Sequence, residues 1–181
     1  MTILTGFFYP LMITGIGQVF FPHKANGSFI MKDGKIIGSE LIGQKFDSSI
    51  YFWSRPSATS YNAIPSGGSN YGPTSDTLRK LSGLRKTAFL TMNFLTDTTH
   101  VPKEMIFASG SGLDPHISPA SALLQVERVA SNRKFDTERT QKLIGTIKSM
   151  TEKRQFSILG EPVINVLKLN VELDRIAKNN Q

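Results

Sequence analysis

The first 22 residues carry no charged side chain, and this constrains the chain more than anything that follows. From Ile3 to Phe21, 12 of 19 residues are apolar or aromatic, and the others are glycines, threonines, Pro10 and Gln18. As one continuous helix this run would be about 28 Å long, close to the hydrocarbon thickness of a bilayer. Glycine and proline are tolerated in such helices because neighbouring helices satisfy the freed backbone groups. Gly6, Thr14 and Gly15 would also let a partner helix approach closely. A buried core segment and a cleaved signal peptide are the competing readings. A signal peptide needs a basic start and small residues before its cleavage point, and His23-Lys24-Ala25 supplies no such pattern. A retained anchor over residues 1–22 is therefore expected, with a single globular domain over 23–181. The nearest cations, Lys24, Lys32 and Lys35, follow the segment. The positive-inside rule taken by itself would put the domain in the cytoplasm.

The remainder reads as an α+β fold of short strands and about four helices. Lys32-Asp33-Gly34-Lys35 between apolar runs predicts a hairpin. Residues 54–75 form a long stretch rich in Ser, Gly, Pro, Asn and Tyr, of the length usually kept for function. Thr74 or Ser75 caps a helix on which Leu78, Leu81, Leu84, Ala88, Met92 and Leu95 recur at helical spacing, with that stripe facing the core. Glu104 to Ser109 reads as a short buried strand. Ser118-Pro119 starts a helix running to about Ser131, and Asp136 caps the next. Val163 to Leu169 suits a central strand, followed by a short helix over 170–178.

Chemical signals are sparse. There is no cysteine, which excludes disulfides, thiolate metal sites and a Cys nucleophile. His23, His100 and His116 are scattered, so no metal site is expected. A Ser109 or Ser111, Asp114, His116 hydrolase would confine its triad to one short loop, whereas triads converge from distant segments. No catalytic residue is expected. Ser66-Gly67-Gly68-Ser69 offers backbone amides that could cradle an anion, but it lacks the Lys-Ser/Thr ending of a P-loop. A tight turn is the simpler reading of it. Lys+Arg exceed Asp+Glu by 21 to 14, yet the cations are dispersed and no nucleic-acid motif is present, so no nucleic-acid partner is expected. A net charge of +7 suits an anionic lipid surface or an acidic partner. On the residues alone, an envelope binding module working through the 54–75 loop is the alternative function.

An ordered set of short motifs is more specific. Gly6-Phe7-Phe8-Tyr9-Pro10, Phe21-Pro22, Ala25-Asn26-Gly27-Ser28 and Gly38-Ser39-Glu40-Leu41-Ile42-Gly43-Gln44 come first. Arg55-Pro56-Ser57-Ala58-Thr59, Tyr61-Asn62 and Ser66-Gly67-Gly68-Ser69-Asn70 follow. Ala108 to Pro119, Gln125, Arg128-Val129-Ala130, Gly160-Glu161-Pro162 and Asn165-Val166-Leu167 complete the set. Together they resemble the KdpC family, the C subunit of the bacterial Kdp potassium-transporting ATPase, from about residue 6 to Asp174.

The resemblance implies a non-catalytic, single-pass inner-membrane subunit whose domain lies on the extracytoplasmic side. Its implied partners are a channel-like potassium-binding subunit, a P-type ATPase subunit, a small helix subunit and membrane lipid. The implied role is assembly and support of ATP-driven potassium uptake, with a catalytic-chaperone action that raises ATP affinity of the ATPase subunit. The family's Q-x-x-R-V-A glutamine, Gln125 here, is implied in nucleotide contact, so ATP is the implied cofactor and potassium the transported ion. Ser66, Gly67, Gly68, Ser69, Ser111, Gly112 and Asp114 join it as nucleotide or partner contacts, and Gly6, Tyr9, Pro10 and Gly15 as anchor positions. Family members carry about ten more residues before the Gly-x-x-Tyr-Pro motif, so the anchor reads as shortened at its start.

Overall fold

A computed structural model describes residues 1–96 and 100–178. The chain divides into two compact units, Met1–Leu41 and Ile42–Gln181.

In the first unit the expected transmembrane helix does not form: among the described residues no helix is long and apolar enough to cross a membrane. Two prolines explain the interruption. Pro10 has no N–H to return to Gly6, and the ladder instead widens to a π-helical turn over Leu4–Phe8, with Tyr9 N–H donating to the Leu4 carbonyl. α1 then spans Tyr9–Phe20, about 18 Å against a hydrocarbon core of about 30 Å. Phe21, at φ −136° ahead of Pro22, leaves the helical region as residues before proline tend to. α2 (Pro22–Ala25) is a single turn. Gly6 sits in the π turn, Tyr9 and Pro10 open α1, and Gly15 lies within it, all of them exposed. β1 (Phe29–Lys32) and β2 (Lys35–Ser39) form the expected antiparallel hairpin, with a bulge between Ile30 and Met31. Asp33 and Gly34 both take positive φ, 52° and 74°, the requirement of a two-residue hairpin turn.

The second unit is α+β and carries five α-helices where about four were expected. α3 (Asp76–Met92) is capped by Ser75, whose side chain accepts from Leu78 N–H. Its core contacts are Phe89 and Leu90, while Leu84, Ala88 and Met92 of the expected inward stripe are exposed. The strand expected at 104–109 is instead a 3₁₀ turn, Lys103–Met105, begun by Pro102. β3 (His116–Ile117) leads into α4 (Pro119–Leu123), capped by Ser118 as the Ser-Pro pair predicts. The helix does not run on to Ser131. It breaks at Gln125, whose N–H folds back to Ala122, and restarts as α5 (Val126–Asn132). α6 (Thr137–Ser149) has Asp136 as its cap.

Residues 163–169 are only briefly a strand. β4 (Ile164–Asn165) pairs antiparallel with β3. The Asn165 side chain then accepts from Lys168 N–H, and α7 (Val166–Lys178) begins at once. The missed signal is an N-capping Asn before Val166, Leu169, Leu173 and Ile176, a helical period in a run that also suits a strand. The core lies among α3 to α7 and the segment around Phe52, with Phe52, Val129, Leu143, Ile147, Ile164, Leu169 and Leu173 fully enclosed.

Asp136 accepts from Arg139 N–H at 2.8 Å and is otherwise exposed. Asp136→Ala is expected to cost about 1 kcal/mol, read as a lowered denaturation midpoint with unchanged slope in urea; an unchanged midpoint would deny the cap its role.

Candidate functional site

Two of the expected loops meet. Residues 66–69 pack on 110–112 so closely that a Cβ on Gly112 would lie 2.8 Å from both the Gly67 carbonyl and Thr59 Oγ1, and one on Gly68 would lie 3.1 Å from the Gly110 carbonyl. Gly112 also has φ +71°, so only glycine serves without strain. These glycines close loop against loop inside the protein, which is what the backbone of Gly68 and Gly112 is used for here. Ser66, Ser69 and Ser111 are exposed at the edge of the contact, and Ser111 Oγ accepts from Leu113 N–H.

Asp114 ties this pair of loops to the preceding segment. Its Oδ2 accepts from Arg55 Nη1 at 2.6 Å and its Oδ1 from His116 N–H at 3.0 Å. The Pro56 carbonyl accepts from Ser109 N–H, and Tyr61 OH donates to the Arg55 carbonyl. Burial alone would raise the Asp114 pKa; the His116 contacts and the Arg55 guanidinium outweigh it and hold the carboxyl below its usual value. Glu104 behaves alike: burial raises it, but the Ser118 and Ser121 hydroxyls and the Ser118 N–H bring it lower. Asp114 and His116 are thus in contact, at 3.5 Å, but Ser109 is buried and Ser111 is turned to its own loop. No serine completes a hydrolytic triad among the described residues.

Gln125 stands apart from these loops and has no exposed surface. Its Oε1 accepts from Trp53 N–H at 2.7 Å and Arg128 Nη2 at 2.8 Å; its Nε2 donates to the Ser121 and Trp53 carbonyls. That is the full capacity of an amide side chain. Asn170 clasps the neighbouring residue in the same way, accepting from Phe52 N–H at 2.8 Å and donating to its carbonyl at 3.0 Å. Arg128, 1% exposed, donates to the Ser49 and Tyr51 carbonyls and to Asn93 Oδ1, and stacks 4.1 Å above the Trp53 ring centroid. Among the described residues no carboxylate pairs with it. Burial pushes its pKa down to about 10, so it remains a cation at neutral pH, held by neutral oxygens and one aromatic face.

The motif Gln125-x-x-Arg128 is therefore an internal clasp on the extended segment 49–53, which has no strand partner. Sequence reasoning passed over Asn93, Trp53, Arg128 and Asn170 as members of it. The available signal was Asn170, a polar residue at helical spacing among Val166, Leu169 and Leu173. With every Gln125 bond already made, the side chain as placed offers nothing to a nucleotide, and the residues around it do not fit a nucleotide site.

Fold and site together define a small α+β unit whose distinctive motifs lock its own loops. The profile of the family described as KdpC: K+-transporting ATPase, c chain, matches residues 1–175. A protein of Methylococcus capsulatus named potassium-transporting ATPase KdpC subunit is 51% identical over 178 residues, covering 97% of this chain and 92% of that protein. Proteins of the same name from Paraburkholderia phytofirmans and Geobacter metallireducens are 49% and 48% identical, each over 97% of this chain and over 91% and 92% of their own length. The chain belongs to the KdpC family.

Two outcomes follow from this geometry. Gln125→Leu leaves both main-chain groups of Trp53 and one Arg128 N–H unpaired in the interior, and is expected to cost about 3 kcal/mol by chemical denaturation; a loss below about 0.5 kcal/mol would mean that the side chain is not held as described. Glu104 and Asp114, both depressed in the folded state, contribute stability that is fully present above their unfolded pKa and is lost as pH falls through the lower folded values. The melting temperature should therefore drop below about pH 4. Asp114→Asn should flatten that drop, and an identical acid limb in the variant would contradict the assignment.

Proposed function

We propose that this chain is a non-catalytic accessory subunit of an ATP-driven potassium uptake complex. The single observation that carries the reading is its membership of the KdpC family along almost the whole chain. Potassium is the transported ion of that complex, and the partners are a channel-like potassium-binding subunit, a P-type ATPase subunit and a small helix subunit. In this reading residues 23–181 lie on the extracytoplasmic side of the cell membrane, and the chain is associated with the membrane through the complex. Its work is assembly: locked loops such as 66–69 on 110–112 give partners a surface of fixed shape.

The chaperone action also belongs to this proposal, as an indirect effect. Gln125 fixes Trp53, and through it the segment bearing Arg55, Pro56 and Ser57. The chain would raise ATP affinity by the conformation it favours in the ATPase subunit, with no nucleotide held on this chain. Such a shift requires only that the chain bind one state of its partner better than another.

The test is reconstitution. A complex purified from its own host without this chain should lack potassium-stimulated ATPase activity, and adding the chain should restore it with a lower apparent KM for ATP. Full activity without the chain would refute the accessory role; an unchanged KM on restoration would refute the chaperone action alone.

A further inference from the structure

The apolar stripe of α3 that should enter the core does not. Leu84, Ala88 and Met92 are spaced by four residues, which puts them on one helix face, and Leu84 and Met92 are 68% and 45% exposed. Beside this face lies an open groove of about 400 Å³, walled by Phe46, Trp53 and Tyr61 and by Ala88, Phe89 and Met92 of α3. Its volume is in the range of binding pockets, and its methionines suit a surface that repacks around another.

The charges around it are unbalanced. Lys45, Asp47, Arg55 and Arg85 also line the groove. Lys45 and Asp47 pair at 2.9 Å. Arg55 is tied to Asp114, yet its buried Nε has no hydrogen-bond partner among the described residues. Arg85 donates to the Ile106 carbonyl at 3.1 Å. α3 itself bears Arg79, Lys80, Arg85 and Lys86 against Asp76 alone.

The geometry points to a docking groove for an amphipathic helical segment of a partner protein, with an apolar stripe set between carboxylates. A ridge of side chains four apart is the surface on which a second helix packs. The cationic edge selects an acidic companion. A second copy of this chain would set the same cations against one another, and a planar lipid surface cannot fill a concave groove. The partner is sought among the other subunits of the transporter, and to that extent the inference rests on the function proposed above.

The experiment is co-purification of this chain with the remaining subunits from its own host. It compares wild type, the double variant Ala88→Glu/Met92→Glu, and Ile158→Glu. Ile158 is 77% exposed on a different loop and controls for the loss of any exposed apolar residue. Trp53, the only tryptophan, reports on the groove wall through its emission. The expected result is that wild type and Ile158→Glu are retained, whereas the double variant, with unchanged Trp53 emission, falls at least tenfold. Retention of the double variant would overturn the groove while leaving the proposed function standing. Failure of wild type to co-purify would overturn both. Should the double variant misfold, a photo-crosslinking p-benzoylphenylalanine at position 92 in the intact complex decides. Its expected product joins this chain to an acid-edged apolar segment of another subunit; a product with lipid, with a second copy, or none at all would overturn the groove.

Discussion

Between Ser49 and Trp53 the backbone is extended, central and without a neighbouring strand, so its polar groups must be met by side chains or be left stranded in the interior. Gln125 and Asn170 each give an amide that copies the two-bond pattern of a strand, one to Trp53 and one to Phe52. Arg128 takes the Ser49 and Tyr51 carbonyls, and Arg133 takes that of Ile50. This clasp sets where Phe52 enters the core and where Trp53, Arg55 and Pro56 emerge from it. Losing any one member strands several groups at once, because Gln125 also holds Arg128 and Arg128 also holds Asn93.

The clasp also explains the break between α4 and α5. A continuous helix would leave the Gln125 amide without its approach to Trp53. At φ −94° and ψ −8° the residue leaves regular helix geometry, and its side chain meets the backbone of a segment 72 positions earlier in the chain.

Local signals were legible in the sequence and long-range ones were not. Ser75, Ser118-Pro119, Asp136 and Asp33-Gly34 act on backbone groups a few residues away, so their effect can be read from spacing alone. The stripe on α3 was read correctly as helical and wrongly as buried, since periodicity reports a face and says nothing about what covers it. The apolar run 1–22 was read as one membrane-crossing helix; Pro10 and Pro22 divide it, and composition gave them too little weight. At 163–169, β-branched residues suited a strand, but Asn165 caps a helix whose inner face reaches Asn170 and thence Phe52. The site loops were named correctly as neighbours in the motif order, yet their contact through Gly68 and Gly112 depends on the fold. Gln125 was read as a residue that reaches outward, because its partners lie 72 positions away in sequence and leave no mark on its immediate neighbours.

As an accessory subunit, the protein has to present a surface of fixed shape, and the clasp is the means by which a segment outside any sheet is made rigid. Native-state hydrogen exchange of the Phe52 and Trp53 amides tests this most directly. If side-chain amides hold that segment as strand partners would, both protons exchange only through global unfolding, as slowly as those of Leu143 and Ile147 in α6. Exchange at the rate of an exposed loop, with α6 still protected, would contradict the account.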